Sequence, residues 1–407
     1  MQNKPDDAFE TFASVNWILK IFGLSILRRE NNVLKARCCW VQIISVVTFV
    51  IVQIALATYD IINFHSTKKL VKIASNFAIF VELTWIASFI KYIVSLSYVF
   101  KFGRNITLNY FKIYAQIDRI IGTSYNKTVK AKIMKTSVFI ISISYVLFII
   151  MFLAESGGVF SRISLTIKFT TYILSTLTVI EMSANIIQIE YRIKAMSDIL
   201  QDLFCSFNSN KSKVIDVVGS KNWFYFSKDR ETAKIELSPS KILVYNHFTD
   251  MIWLNKCYSL LIEQNSFINR FYGIRILINN TLHLFFVIQA INGAVRLFHW
   301  TFNKLPIIPL IVTLLSTVNS AVFVVCLVYR CETTYKQRNE IISIVDHILV
   351  DKEIDESMRS TLAEFRTLVH TRPIEFTAAN FYRLDYGLLG AFSSVIITYT
   401  AILLQNL

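Results

Sequence analysis

The chain closes on Thr398-Tyr399-Thr400-Ala401-Ile402-Leu403-Leu404-Gln405-Asn406-Leu407, the end of an apolar run that starts near Leu384. An uninterrupted apolar helix normally hands over to a soluble tail. This one runs almost to the last residue and sets Thr398, Tyr399 and Gln405 inside or at the edge of hydrocarbon. Polar side chains are costly there, so they mark a polar path or a helix contact.

The rest of the chain agrees with a membrane reading. Of 407 residues, 54% are hydrophobic and 32 are Phe, with only 10 Gly and 5 Pro, a poor mixture for a soluble protein. The apolar residues gather in blocks of about 20, enough for a helix to cross ~30 Å of hydrocarbon. Period-2 alternation is absent over those blocks, and backbone satisfaction in lipid then favours helices over a barrel. We expect an all-α membrane protein with seven transmembrane helices, near 39–60, 72–98, 134–154, 165–188, 273–292, 307–329 and 384–405. Lys91 interrupts the second and Glu181 the fourth. The fifth holds Arg275, Asn279, Asn280, His283 and Gln289 and is the least lipid-like.

Charge orients the spans. Lys and Arg number six in 1–37, seven in 99–133, ten in 189–268 and eight in 330–383, while the alternate short loops hold only Lys68 and Lys69, then Arg162, then Arg296 and Lys304. Positive residues stay on the cytoplasmic side. The N-terminus is therefore expected inside and the C-terminus outside. That is the reverse of a G-protein-coupled receptor. The Asp118-Arg119 pair, faintly like that class, is read instead as a solvated helix face in a loop. The same distribution accounts for the net charge of +14 without nucleic acid.

The expected division is a cytoplasmic N-terminal segment at 1–38, then spans one to four at 39–188 with a cytoplasmic helical loop near 99–133. A cytoplasmic linker at 189–272 carries a flexible insert near 206–240. Spans five and six occupy 273–329, a cytoplasmic helical anchor region 330–383, and the last span 384–407. The internal segments are patterned, not filler. Ile106, Tyr110, Ile113, Ile117 and Ile120 recur at helical spacing, and so do Ile187, Ile189, Ile193, Met196, Ile199 and Leu200. Such helices can bundle below the spans or lie on the membrane surface.

Six cysteines show no spacing of a disulfide framework or metal site, and His283 and His347 lack a second ligand at helical spacing. No glycine-rich phosphate loop or paired carboxylates with a suitable histidine occur. Neither catalysis nor a cofactor is expected. Internal repeats and Gly/Pro-broken spans, the marks of many transporters, are also missing.

Within the last span, Ser394, Thr398, Ala401 and Gln405 are spaced 4, 3 and 4 and form one small or polar stripe. A pore needs such a stripe, because ions need oxygen ligands or retained water. Helix packing uses the same residues, and both readings stand at this level. Gln405 offers an amide at one mouth of the span, and Ile402 and Leu403 are candidates for a dewetting gate. Tyr399 is a candidate brace against a neighbouring helix.

The chain resembles the insect gustatory receptors, whose signature is Thr-Tyr, five mostly apolar residues, then Gln-Phe in the last span. Thr398, Tyr399 and Gln405 match it, and Asn406 stands where that family has Phe. Phe376-Thr377-Ala378 and Leu384-Asp385 resemble its Phe-Thr-Ala and Leu-Asp, with Asn380 where Gly is frequent. The resemblance implies a tetrameric ligand-gated cation channel, of one chain or with related receptors, in the cell membrane of sensory neurons. The last spans would surround the pore and pass cations, and lipids would surround the whole. A small-molecule tastant, bitter or aversive before sugar or internal nutrient, would bind among the outer halves of the helices.

Candidate ligand contacts are Glu82, Trp85, Tyr145, Tyr172, Gln289 and Asn292, each also open to a purely structural role. Glu181 with Asn185 reads as an interhelical polar contact or the base of that pocket. If the family's Phe helps to close the pore, Asn406 weakens the seal; if Asn406 points away, it does nothing there.

Overall fold

The computed structural model describes residues 8–25, 27–30, 33–36, scattered helical positions between 43 and 58, 89–90, 92–100, 103–154, 159–209, 239–300, 307–350, 354 and 356–405. The spans expected at 39–60 and 72–98 fall largely outside these, as does most of the insert at 206–240.

Eight helices with stated bounds organise the described chain: α1 Ala8–Ile21, α2 Gly103–Ile121, α3 Asn126–Ala154, α4 Val159–Ser209, α5 Pro239–Trp300, α6 Ile307–Val350, α7 Glu356–Thr371 and α8 Tyr386–Gln405. Two short antiparallel hairpins join them. One pairs β1 Leu27–Glu30 with β2 Val33–Ala36, and the other pairs β3 Thr377–Ala378 with β4 Tyr382–Arg383. The sequence reading anticipated neither hairpin and no helix at 8–21. That helix ends because Gly23 takes φ +71, which lets Gly23 N–H bond Lys20 O at 3.1 Å and Leu24 N–H bond Leu19 O at 2.8 Å.

The spans expected at 134–154, 165–188, 273–292 and 307–329 each lie inside one longer helix. At 1.5 Å per residue, the 51 residues of α4 reach about 76 Å, more than twice a hydrocarbon core. The excess extends into the Lys/Arg-rich segments. There α4 packs on α3 and α6, α2 on α5, α1 on α3 and α7 on α6. The amphipathic stripes read from the sequence supply this core: Tyr114, Ile117, Ile187, Ile189, Ile193, Met196 and Leu200 are all fully buried. Among the described residues, Asn126–Ile150, Met251–Asn292 and Tyr386–Gln405 are long and apolar enough to cross a membrane.

α4 is the central helix. Every residue from 174 to 190 is buried, whatever its polarity. Its Glu181 therefore looks less lipid-like in sequence because its surroundings are protein on all sides. Asp118 departs from the sequence reading too. It is buried at 6% exposure instead of solvated, because Arg192 of α4 reaches it.

Candidate functional site

The approach to the last helix is built from alternation. Ile374, Phe376 and Ala378 occupy every second position, and all three are fully buried. Extended backbone needs partners for its polar groups, and α5 and α6 provide them. Asn265 and Asn269 donate to Glu375 O at 2.8 and 2.7 Å, and Asn269 Oδ1 accepts Thr377 N–H at 3.0 Å. Tyr335 of α6 accepts Phe376 N–H at 2.9 Å, and its ring stacks on that of Phe376. Ala379 and Asn380 turn the hairpin at φ 52 and 61. Asn tolerates that left-handed region better than most residues, which explains its standing where Gly is frequent. The turn lies hard against α5: a Cβ on Gly273 would stand 2.7 Å from Ala379 N.

Asp385 then starts α8. Its carboxylate accepts Leu388 N–H at 3.2 Å, an N-cap, while Glu332 of α6 accepts Tyr386 N–H at 3.1 Å. Arg383 bonds Glu375 at 2.7 Å and lies over the Tyr335 ring. Phe376, Thr377, Ala378 and Asp385 thus form one clamp at the foot of the last helix.

Beyond the clamp, α8 is almost alone. It packs mainly on α5 and α6, and Leu388 is its one buried residue. The side facing its own subunit carries Leu388, Phe392, Ile396, Tyr399 and Leu403, which are buried or half-buried. Ser394, Thr398, Ala401 and Gln405 are all exposed. At roughly 100° per residue the two stripes lie on opposite faces of the helix. Gly387 and Gly390 extend the exposed stripe towards the clamp, and Ile402 stands exposed beside it. Asn406 lies outside the described residues.

Two buried polar centres tie the bundle together. In the first, Glu181 accepts Arg275 Nη2 and Tyr272 O–H, both at 2.9 Å, and Asn185 Nδ2 donates to Tyr272 Oη at 3.0 Å. Beside it is a cavity of about 40 Å³, bounded by Glu181, Asn185, Tyr272, Phe271, Phe111 and Phe12. That volume suits a few water molecules and not an aromatic ligand. In the second centre, Arg192 grips Asp118 with Nε at 3.0 Å and Nη2 at 3.1 Å, Tyr125 O–H donates to the same carboxylate, and the guanidinium lies 3.8 Å from the Tyr114 ring centre. Burial pushes the Tyr125 hydroxyl and the nearby Cys257 thiol well above their usual ranges, so both stay protonated.

Of the ligand-contact candidates, Tyr145 is 57% exposed on the outside of its subunit, and Asn292 is half-buried near the outer end of α5. Tyr172 and Gln289 lie on α4 and α5, but their side chains, like Glu82 and Trp85 entirely, fall outside the described residues. Neither Tyr145 nor Asn292 lines the cavity. Sequence reasoning missed Arg275 as the partner of Glu181, although each was noted as a charge within a span. It also missed Asn265, Asn269, Gly273 and Tyr335, whose role depends on the hairpin they hold. Among the described residues, no cluster of three His, Cys, Asp or Glu could hold a metal ion.

These features define an all-α, multi-pass membrane protein. The structure of the insect olfactory receptor OR5 from Machilis hrabei matches with a TM-score of 0.66 and 12% identity over 98% of each chain. The same receptor in complex with eugenol matches with a TM-score of 0.67, again at 12% identity and 98% of each chain. That likeness is one of fold. The family described as 7tm Chemosensory receptor matches residues 13–406, and the chain belongs to it. The family is one of receptors, not enzymes. No curated protein matches the chain in sequence.

Proposed function

We propose that this chemoreceptor is a ligand-gated, non-selective cation channel of the gustatory type, in which four copies set α8 around a central pore. One observation carries the reading: α8 turns Ser394, Thr398, Ala401 and Gln405 away from its own subunit, uncovered along the whole stripe. Lipid is a poor partner for those hydroxyls and that amide. Around a shared axis, the same stripe faces water and passing ions. Ile402 is assigned the gate and Asn406 the mouth, while Leu403, on the face turned to its own subunit, is left out of the pore set. The Thr398-Tyr399 and Gln405 signature and the Phe376-Thr377-Ala378 approach favour the gustatory over the olfactory branch.

The activating molecule is a small tastant held among the outer halves of the helices. Glu82, Trp85, Tyr172, Gln289 and Asn292 are its candidate contacts, and Tyr145, facing out of the subunit, is left out of that set. Bitter or aversive compounds come first as ligand class, ahead of sugars and internal nutrients.

The test is calcium imaging and whole-cell recording from cells expressing the chain, alone and with related receptors, against empty-vector controls. Bitter compounds, sugars and volatiles form the ligand panel. A ligand-evoked cation current is expected, with Gln405→Ala changing selectivity or gating. A Gln405→Ala protein at normal surface density with wild-type currents refutes the pore assignment.

A further inference from the structure

We propose that the buried Glu181–Arg275 ion pair is a positioning element for gating. It sets α5 against α4, and through α5 it sets the resting place of the hairpin from which α8 starts. The inference rests on the channel reading above and goes beyond it by naming a transmission point inside the bundle.

Two faces of α5 hold different partners. Asn265, Asn269, Gly273 and Asn280 share one face at helical spacing. That face holds the hairpin, through Glu375 O, Thr377 N–H, the backbone of Ala379 and the Tyr382 hydroxyl, which accepts Asn280 Nδ2 at 3.2 Å. Phe267, Phe271, Tyr272 and Arg275 lie on a different face, turned to α4 and the cavity. Arg275 is two residues from Gly273, within a single turn. A displacement of α5 at Arg275 is therefore delivered to Ala379 and onward to Asp385, the N-cap of α8.

The pair is built to have two positions. Side-chain exposure is 0% for Arg275 and 6% for Glu181, so water screens it little. Arg275 uses only Nη2 on the carboxylate. Its Nε and Nη1 are buried and make no hydrogen bond among the described residues. An arginine fork normally holds a carboxylate at two points, and the two-point form is the stronger. A shift of α5 that brings a second nitrogen onto Glu181 exchanges one discrete arrangement for another, which is what coupling between distant sites requires. α4 is buried on every side at this level, whereas α5 carries the exposed Ile274, so the displacement is assigned to α5.

Three variants of the full chain, compared at equal surface density, test this. Arg275→Lys keeps the charge but not the fork. It should leave the resting current as in wild type and raise the half-activating ligand concentration by about tenfold, within the usual range of coupling between sites. Glu181→Gln with Arg275→Gln removes both charges without leaving either one buried and unpaired. It should alter both resting current and ligand sensitivity, and the exchange Glu181→Arg with Arg275→Glu should restore sensitivity to within about threefold of wild type. Wild-type gating in the double glutamine variant overturns the proposal, as does an exchanged pair that behaves like the double glutamine.

A second readout does not need current. Ala379→Cys, placed in a background without other accessible cysteines, should react with a maleimide severalfold faster in the double glutamine variant than with the pair intact. Equal rates overturn the positioning role. No ligand-evoked current from the wild-type chain, alone or with related receptors, together with that rate difference between the two backgrounds, refutes the channel reading while upholding the role of the pair.

Discussion

Gly273→Ala isolates the contact between α5 and the last helix's clamp. The added Cβ would stand 2.7 Å from Ala379 N, 3.1 Å from Ala379 Cα and 3.4 Å from Thr377 O. Two opposing terms follow. Alanine favours a helix interior over glycine by about 1 kcal/mol. Against it, the hairpin has to retreat by roughly 0.7 Å or more to reach ordinary contact distance. The obstacle is backbone, not the flexible end of a side chain. It is held by Asn265 at 2.8 Å, Asn269 at 2.7 and 3.0 Å and Tyr335 at 2.9 Å. Overpacking costs about 1–3 kcal/mol, and each hydrogen bond stretched out of reach adds about 1 kcal/mol. The clash wins, with a net loss of about 1–3 kcal/mol. Thermal unfolding of the detergent-solubilised protein should show a midpoint lowered by about 1–4 °C. Gly273→Val should fall further, since its branched side chain adds bulk at the same point. A Gly273→Ala midpoint at or above wild type refutes the close approach and, with it, the clamp as drawn.

Asp385→Ala removes the N-cap of α8 and should cost about 1 kcal/mol, seen as faster hydrogen exchange in its first turn, while Asp385→Asn retains most protection. Asp118→Asn leaves the Arg192 guanidinium buried without its anionic partner and should destabilise by about 3–5 kcal/mol in thermal unfolding; adding Arg192→Met should recover most of that loss. At the far end of α6, the hydrogen bond from Arg366 holds the Asp346 carboxyl below its usual range. Its folded value lies below its unfolded one, so the stabilisation is present above the ordinary carboxylate value and is lost as pH falls through the lowered one. Arg366→Ala should move the Asp346 titration midpoint, read by carboxylate NMR, upward towards that ordinary value.

Composition and charge placement carried much of the architecture. Blocks of apolar residues made spans, because hydrocarbon leaves helices as the simplest way to satisfy the backbone. Helical spacing of Tyr110, Ile113, Ile117 and Ile187, Ile193 and Met196 exposed the internal core, since each of those side chains has to be covered by something. Ser394, Thr398, Ala401 and Gln405 were legible for the same reason: their spacing alone puts them on one face. Asp118 was misread because a charge in an amphipathic loop is ordinarily solvated. Its burial depends on Arg192, 74 residues further along the chain. The hairpin at 377–383 escaped because two-residue strands carry too short an alternation to register.

What the sequence by itself determined is a membrane-embedded helical chain with its positive segments on one side and a polar stripe on its last span. These are properties of local composition and helical period, and they need no partner to be read. Which face of α8 is turned away from its own subunit, which charge meets Glu181, and why residue 273 has to be glycine were decided only by the tertiary structure. Each depends on backbones and side chains brought together from far apart in the chain, with Ala379 lying 106 residues beyond Gly273 and Arg275 lying 94 beyond Glu181. No local pattern encodes a distance of 2.7 Å between two such positions.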